Sequence, residues 1–196
     1  GEIYNYRILR RELKKTGYVF RSQSDTEVLL AAVEVWGLNI ALDKFIGMFA
    51  FALWDKDNQE LYLVRDRAGE KPLYYGLFGN VILFGSELKA LEVHDSFVKS
   101  INRDAISLLL RYNYIPAPYS IYDNIYKIKP GTFLAIKIEK QKISTTEHTY
   151  WSFENAVKSG GSDNKIFSYE EAKFGIKDAL TESIRSQMIA DVPLGA

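Results

Sequence analysis

The sequence predicts an α+β protein with mainly antiparallel strands, followed by a polar stretch and one final helix. Three observations carry that reading. Apolar strand-like runs between residues 48 and 84 are joined by connections too short for helical crossovers, which leaves hairpins. Helix-start signals stand on both sides of that ladder. From Glu154 to Lys165 the composition turns polar and rich in Ser and Gly, as a linker does.

The 196 residues are 47% hydrophobic and 26% charged, which excludes general disorder, collagen and coiled coil. A chain of this size buries about 70% of its extended surface and needs no staple. Lys plus Arg number 25 and Asp plus Glu number 25, a balance that gives no support to a nucleic-acid or anionic-membrane partner. No apolar run reaches membrane-spanning length. There is no cysteine, so disulfides, thiolate metal sites and a cysteine nucleophile are excluded within these residues. Two histidines, His94 and His148, argue against a His-rich metal site. The start shows neither a signal peptide nor a Met, and the end stops inside Asp191-Val192-Pro193-Leu194-Gly195-Ala196. The sequence is therefore expected to be an internal piece of a longer protein.

The elements follow in order. Ile3, Tyr6, Leu9 and Leu13 recur at helical spacing, so a helix is expected from Ile3 to Lys15, stopped at Gly17. Ser24 and Glu27 match a capping box ahead of an apolar helix, Val28 to Trp36, ending at Gly37. Met48 to Trp54 is almost wholly apolar and reads as a strand buried on both faces. Leu61 to Val64 follows the turn residues Asp57-Asn58, Pro72 to Tyr75 is short, and Val81 to Phe84 follows a Gly79-Asn80 hairpin signal. Helices are expected near Glu87 and from Arg103 to Tyr112, the latter capped by Asn102. Thr132 to Ile138 reads as a strand after Pro130-Gly131, and Ser168 with Glu171 opens the final helix, which runs to about Met188.

No catalytic constellation stands out from residues alone. The densest chemistry lies in Arg65-Asp66-Arg67-Ala68-Gly69-Glu70-Lys71-Pro72-Leu73-Tyr74-Tyr75, readable as a structural ion-pair turn or as a ligand-facing loop, with the turn favoured. His94-Asp95-Ser96 does not make a triad, because sequence neighbours do not supply its geometry. His148 reads as a surface or packing residue. The aromatic group Tyr112, Tyr114, Tyr119, Tyr122 and Tyr126 reads as interior or interdomain packing rather than a base-stacking platform.

Several motifs in order carry a family resemblance. Gly1-Glu2-Ile3-Tyr4-Asn5-Tyr6 is similar to the end of the N-G-E-I-Y-N motif of class II glutamine amidotransferases, and Ser24-Asp25-Thr26-Glu27-Val28 to their S-D-T-E-V. Gly47 to Asp55 follows at the family's spacing. The Arg65 to Tyr75 run, Ser86 to Leu91, Pro116-Ala117-Pro118, Lys129-Pro130-Gly131 and Asp191 to Ala196 resemble the glutamine-hydrolysing asparagine synthetase branch.

The resemblance implies an N-terminal-nucleophile hydrolase fold, an αββα sandwich of antiparallel sheets, followed by an ATP pyrophosphatase-type α/β domain. It implies boundaries at 1–153, a linker at 154–167 and the start of the synthetase domain at 168–196. Glutamine would be hydrolysed in the first domain, and aspartate amidated in the second with ATP and Mg. No cofactor is expected within these residues. Gly1 would supply an oxyanion-hole N–H. Glu2 would help hold glutamine, and Asp25 would bind its α-ammonium by a charge-assisted hydrogen bond. Asp25 also suits a helix start on dipole grounds.

The departures from the family are equally plain. Its nucleophile is an N-terminal cysteine, which this sequence lacks, and its glutamine-carboxylate arginine and S-G-G-x-D-S pyrophosphate loop lie outside these residues. Ser159-Gly160-Gly161-Ser162-Asp163-Asn164 imitates that loop but follows no buried strand, so it is expected to be a linker. The implied setting is cytoplasmic, with no nucleic-acid or membrane partner and with homodimerisation open. Amidation of another acceptor (a peptide, sugar or antibiotic precursor) and a non-catalytic binding module stay open. A sugar-phosphate aminotransferase is disfavoured by the Arg65 to Tyr75 and Asp191 to Ala196 motifs.

Overall fold

The computed structural model describes residues 1–139, 142–161 and 168–188. In chain order the elements are β1 (Glu2–Ile3), α1 (Tyr6–Lys15), α2 (Asp25–Trp36), α3 (Leu38–Lys44), β2 (Gly47–Met48), β3 (Ala50–Asp55) and β4 (Glu60–Arg65). They continue with β5 (Tyr74–Phe78), β6 (Val81–Gly85), α4 (Leu88–Glu92), α5 (Arg103–Tyr112), β7 (Ile125–Lys127) and β8 (Thr132–Glu139). The last three are β9 (Lys142–Thr149), α6 (Phe153–Gly161) and α7 (Tyr169–Gln187). The chain divides into two compact units, Gly1 with Met48–Ser152, and Glu2–Gly47 with Phe153–Ala196.

The first unit holds two antiparallel sheets, ordered β3-β4-β8-β9 and β6-β5-β7. They face each other across Leu63, Leu73, Ile128, Leu134 and Ile136, with Tyr75 of β5 and Ile82 of β6 packed against that cluster. Strand alternation sends the adjacent residues Tyr74 and Leu83 to the opposite face. There Leu83, Leu91, Tyr122 and Ile125 form a second cluster that takes in Tyr74, Leu88 and Phe97. Leu88 and Leu91 come from α4, so the smaller sheet is covered by the larger sheet on one face and by α4 on the other.

The chain passes from one sheet to the other at residues 66–73 and returns at 128–131. Both crossings are held by one pair of side chains. Asp66 is fully buried and its carboxylate accepts the N–H groups of Phe49 (3.2 Å), Glu70 (2.8 Å) and Lys71 (2.9 Å). The Arg65 guanidinium donates to the carbonyls of Lys71 (2.8 Å), Ile128 (2.8 Å) and Gly69 (2.6 Å). Burial draws the Arg65 pKa down, and the adjacent Asp66 charge opposes the shift. Gly69 turns at φ +70°, and a Cβ there would stand 2.7 Å from Pro130 Cγ and 3.1 Å from Arg65 Cζ. Arg65 and Asp66 of the Arg65 to Tyr75 run thus have a structural part, but through backbone groups rather than the ion pairs expected from sequence.

In the second unit α1 packs on α2 and α2 on α3. Leu9 and Leu13 of α1, one turn apart, are buried, as are Val28, Leu29, Ala31 and Ala32 of α2 and Ala41 and Leu42 of α3. The small alanines suit a helix approached closely by its neighbours. α7 opens with the expected capping box, Ser168 Oγ accepting from the Glu171 N–H and the Glu171 carboxylate from the Ser168 N–H.

Several expectations need correction. Ile3 lies in β1, so the first helix starts only at Tyr6. The Ser24–Glu27 capping box does not form, although Ser24 does cap α2 by accepting the Thr26 N–H. β3 is an edge strand with Ala52 and Trp54 exposed, so its apolar composition does not mean burial on both faces. The short strand expected at Pro72 begins at Tyr74, because Pro72 cannot donate to a ladder. α3, β7 and β9 went unread; β9 is almost wholly exposed and carries little apolar signal. The first part of the expected linker, from Glu154, is helical within α6, with a Lys158–Glu154 pair at i,i+4. Residues 162–167 and the Asp191 to Ala196 motif lie outside the described residues.

Tyr150 closes this arrangement by donating its hydroxyl to the Arg65 carbonyl at 2.7 Å, and burial pushes its pKa well up. Tyr150→Phe removes that donor with little change of shape. It is expected to lower unfolding stability by about 1 kcal/mol, read by urea denaturation of the two proteins side by side.

Candidate functional site

Asp25 occupies the first helical position of α2, where the free N–H groups and the dipole favour a carboxylate. Its Oδ2 accepts the Ile3 N–H at 3.0 Å, which ties β1 to the start of α2. Glu2, exposed, is the residue next to that bond. The structure therefore brings the two predicted acidic residues to one corner of the second unit. The helix-start reading of Asp25 holds, and the carboxylate is half-buried and bonded to β1 as well.

The loop before Asp25 is braced from both sides. Arg10 reaches from α1 to the Ser22 carbonyl at 2.5 Å and lies over the Phe20 ring at 4.2 Å. Glu27 accepts the N–H groups of Arg21 and Ser22 and the Ser22 hydroxyl, each at 2.7 Å. This is why Glu27 does not close a capping box: its carboxylate is spent on the preceding loop. The backbone N–H of Arg21, followed by the Ser22 hydroxyl, holds the Glu27 pKa below the usual carboxylate range.

Gly1 lies with the first unit. A Cβ on it would stand 2.7 Å from both the Met48 carbonyl oxygen and Phe49 Cα, so only glycine fits there without a shift. Phe49, 4% exposed, lies between β2 and β3. Its N–H donates to the Asp66 carboxylate and its carbonyl accepts the Asp66 N–H at 2.9 Å.

Two supporting residues were missed as such. Asn5 donates through Nδ2 to the Lys44 carbonyl at 2.8 Å and accepts the Ile46 N–H at 3.0 Å, clamping the segment after β1 to the run into β2. Its signal was its place inside the Gly1 to Tyr6 motif. Asp66 was visible within a charged run, but nothing in that run said that its partners would be backbone amides. Of the remaining residues, His94 is exposed and accepts from the Ser96 N–H, and His148 is exposed and stacked on Phe133 at 4.8 Å. Interior packing holds for Tyr122 (8% exposed) but not for Tyr112, Tyr114, Tyr119 and Tyr126, which are exposed. Among the described residues no group of three His, Asp or Glu side chains is placed to hold a metal, and no helix is long and apolar enough to cross a membrane.

Residues 1–151 match the glutamine amidotransferase domain, and the chain belongs to that family. Over its whole length it is 35% identical to asparagine synthetase [glutamine-hydrolyzing] 1 of Bacillus subtilis, covering 29% of that protein. It is also 35% identical to a putative asparagine synthetase [glutamine-hydrolyzing] 2 of Methanocaldococcus jannaschii, covering 36%. The chain thus spans about a third of the length of these relatives. The glutamine phosphoribosylpyrophosphate amidotransferase of B. subtilis, solved with ADP and GMP, superposes with a TM-score of 0.51 over 76% of this chain and 28% of its own, at 19% identity. That likeness speaks for the fold.

The lowered Glu27 pKa gives a pH test of the loop. A carboxyl whose folded pKa lies below its unfolded value, about 4.3, stabilises the fold above that value and ceases to as pH falls through the folded pKa. The melting temperature of Glu27→Gln should fall below that of the parent at pH 7, and the gap should close as pH drops below about 4.

Proposed function

We propose that this chain is the glutamine-hydrolysing part of a glutamine-dependent asparagine synthetase. The observation that supports this most is the 35% identity to such a synthetase over all 196 residues, with Gly1, Glu2 and Asp25 at the motif positions. The reading includes the N-terminal-nucleophile hydrolase sandwich, a synthetase domain from residue 168 onward, cytoplasmic location and homodimerisation. Its substrates are glutamine and aspartate, with ATP and Mg serving the second domain.

The chemistry assigned to this chain is confined to glutamine. A cysteine thiolate, which these residues do not contain, attacks the side-chain carboxamide, and its C–N bond breaks to release ammonia and leave a thioester. Water then hydrolyses the thioester to glutamate. Gly1 serves by directing its N–H at the oxygen that becomes negative as the tetrahedral centre forms. Asp25 accepts hydrogen bonds from the substrate α-ammonium, and Glu2 helps hold the glutamine. No step through ATP is assigned to this chain.

Two measurements test the reading. The purified 196-residue chain, having no cysteine, should release no ammonia from glutamine above a protein-free blank; steady release would mean a different nucleophile. In the longer protein that carries this chain and a cysteine, Asp25→Asn should raise KM for glutamine about tenfold or more, with a smaller change in kcat, as expected for loss of a charge-assisted hydrogen bond. An unchanged KM would leave Asp25 only its helix-start role.

A further inference from the structure

Asp66 is buried in the first unit and belongs to none of the residues assigned to glutamine. Its carboxylate has three backbone N–H partners, and two of them, Glu70 and Lys71, lie in its own turn. The third is Phe49, seventeen residues earlier. The turn would close on the two local bonds alone, so the bond to Phe49 calls for its own explanation.

Phe49 stands between β2 and β3, in neither strand. Asp66 holds it from both ends, taking its N–H with the carboxylate at 3.2 Å and giving its carbonyl an N–H at 2.9 Å. The Gly1 backbone lies directly against that peptide, with 2.7 Å between a would-be Cβ and Phe49 Cα. Backbone packed with no room for even a methyl group transmits displacement, because the interior is close-packed. We propose that Asp66 is a positioning residue for glutamine hydrolysis, which sets the Gly1 oxyanion donor by fixing the Phe49 peptide against it. The inference rests on the reading of Gly1 given above. Its physical content is that an oxyanion donor works only within a few tenths of an ångström of its productive place.

The carboxylate suits this task better than a neutral side chain. One oxygen accepts from both Phe49 and Lys71 and the other from Glu70, so all three buried donors are met only while both oxygens accept. Asn would present one acceptor and turn an NH2 group toward an N–H, leaving at least one buried donor without a partner.

Asp55 provides a matched control. It too is a carboxylate that accepts turn N–H groups, from Asp57 and Asn58 at 3.0 Å each, but in the β3–β4 hairpin. The experiment uses the longer protein that carries this chain, its active sites titrated with an irreversible diazoketone analogue of glutamine so that unfolded molecules do not count. Asp66→Asn should lower kcat for glutamine hydrolysis per titrated site by about tenfold or more, with KM within about threefold. Hydrogen exchange in a peptide spanning residues 48–50 should quicken. Asp55→Asn should leave kcat and that exchange unchanged. If Asp66→Asn does not fold, Asp66→Glu, which keeps the charge but displaces the acceptor, should show the same loss in kcat. A parent active on glutamine whose folded Asp66 variants keep kcat within twofold overturns the proposal alone. A parent inactive on glutamine overturns the proposal and the reading it rests on together.

Discussion

One buried carboxylate organises the sheet-bearing unit. Asp66 takes an otherwise prohibitive position for a charge, fully removed from water, and the position holds because three backbone N–H groups surround it and a guanidinium stands next to it in sequence. The chain leaves one sheet at this residue, and its carbonyl accepts the Gly131 N–H where the chain returns. Arg65 does the complementary work, satisfying three carbonyls of the same crossings. A sandwich of two sheets needs its connections to turn sharply without stranding polar backbone in the core. Here the Arg-Asp dipeptide meets both halves of that requirement, donors with Asp66 and acceptors with Arg65.

The helical unit solves a different problem with the same means. Its loop between α1 and α2 leads into Asp25 without strand or helix bonding of its own. Glu27 supplies acceptors for two of its N–H groups, Arg10 a donor for one of its carbonyls, and Ser24 the cap of α2. Asn5 then closes the segment that follows β1 with one donor and one acceptor. In both units side chains that look ready for chemistry are consumed by backbone.

That explains what was legible in the sequence and what was not. Elements whose signals are local were readable: Asn102 capping the Arg103–Tyr112 helix, the Ser168–Glu171 box, the β5–β6 hairpin over Gly79-Asn80. Those that depend on tertiary pairing were not. β9 is polar and exposed, and it becomes a strand only because β8 offers it an edge over eight paired positions. β7 is three residues long and exists by pairing with β5. Ile3 continued the helical period of Leu9 and Leu13, but the pairing of β1 with β2 places it in a strand. The site followed the same rule. Glu2 and Asp25 could be named from motif order, whereas their meeting through Ile3 is a tertiary fact.

The Ser24-Asp25-Thr26-Glu27 run shows how one string of residues can match a motif and still divide its duties differently in space. As a string it matches a capping box, and as a family motif it marks a substrate carboxylate. In the structure each acidic residue has a separate duty: Glu27 turns back to brace the loop, and Asp25 turns to β1. Had Glu27 closed the box, Ser22 and Arg21 would have lost their acceptor, and the loop that carries Asp25 would have had to find its order elsewhere. The accuracy with which Asp25 is placed therefore depends on Glu27 leaving the helix cap to Ser24 alone. A charge at a helix start is common; this one is also tied to β1 through the Ile3 N–H, so its direction is set from outside its own helix.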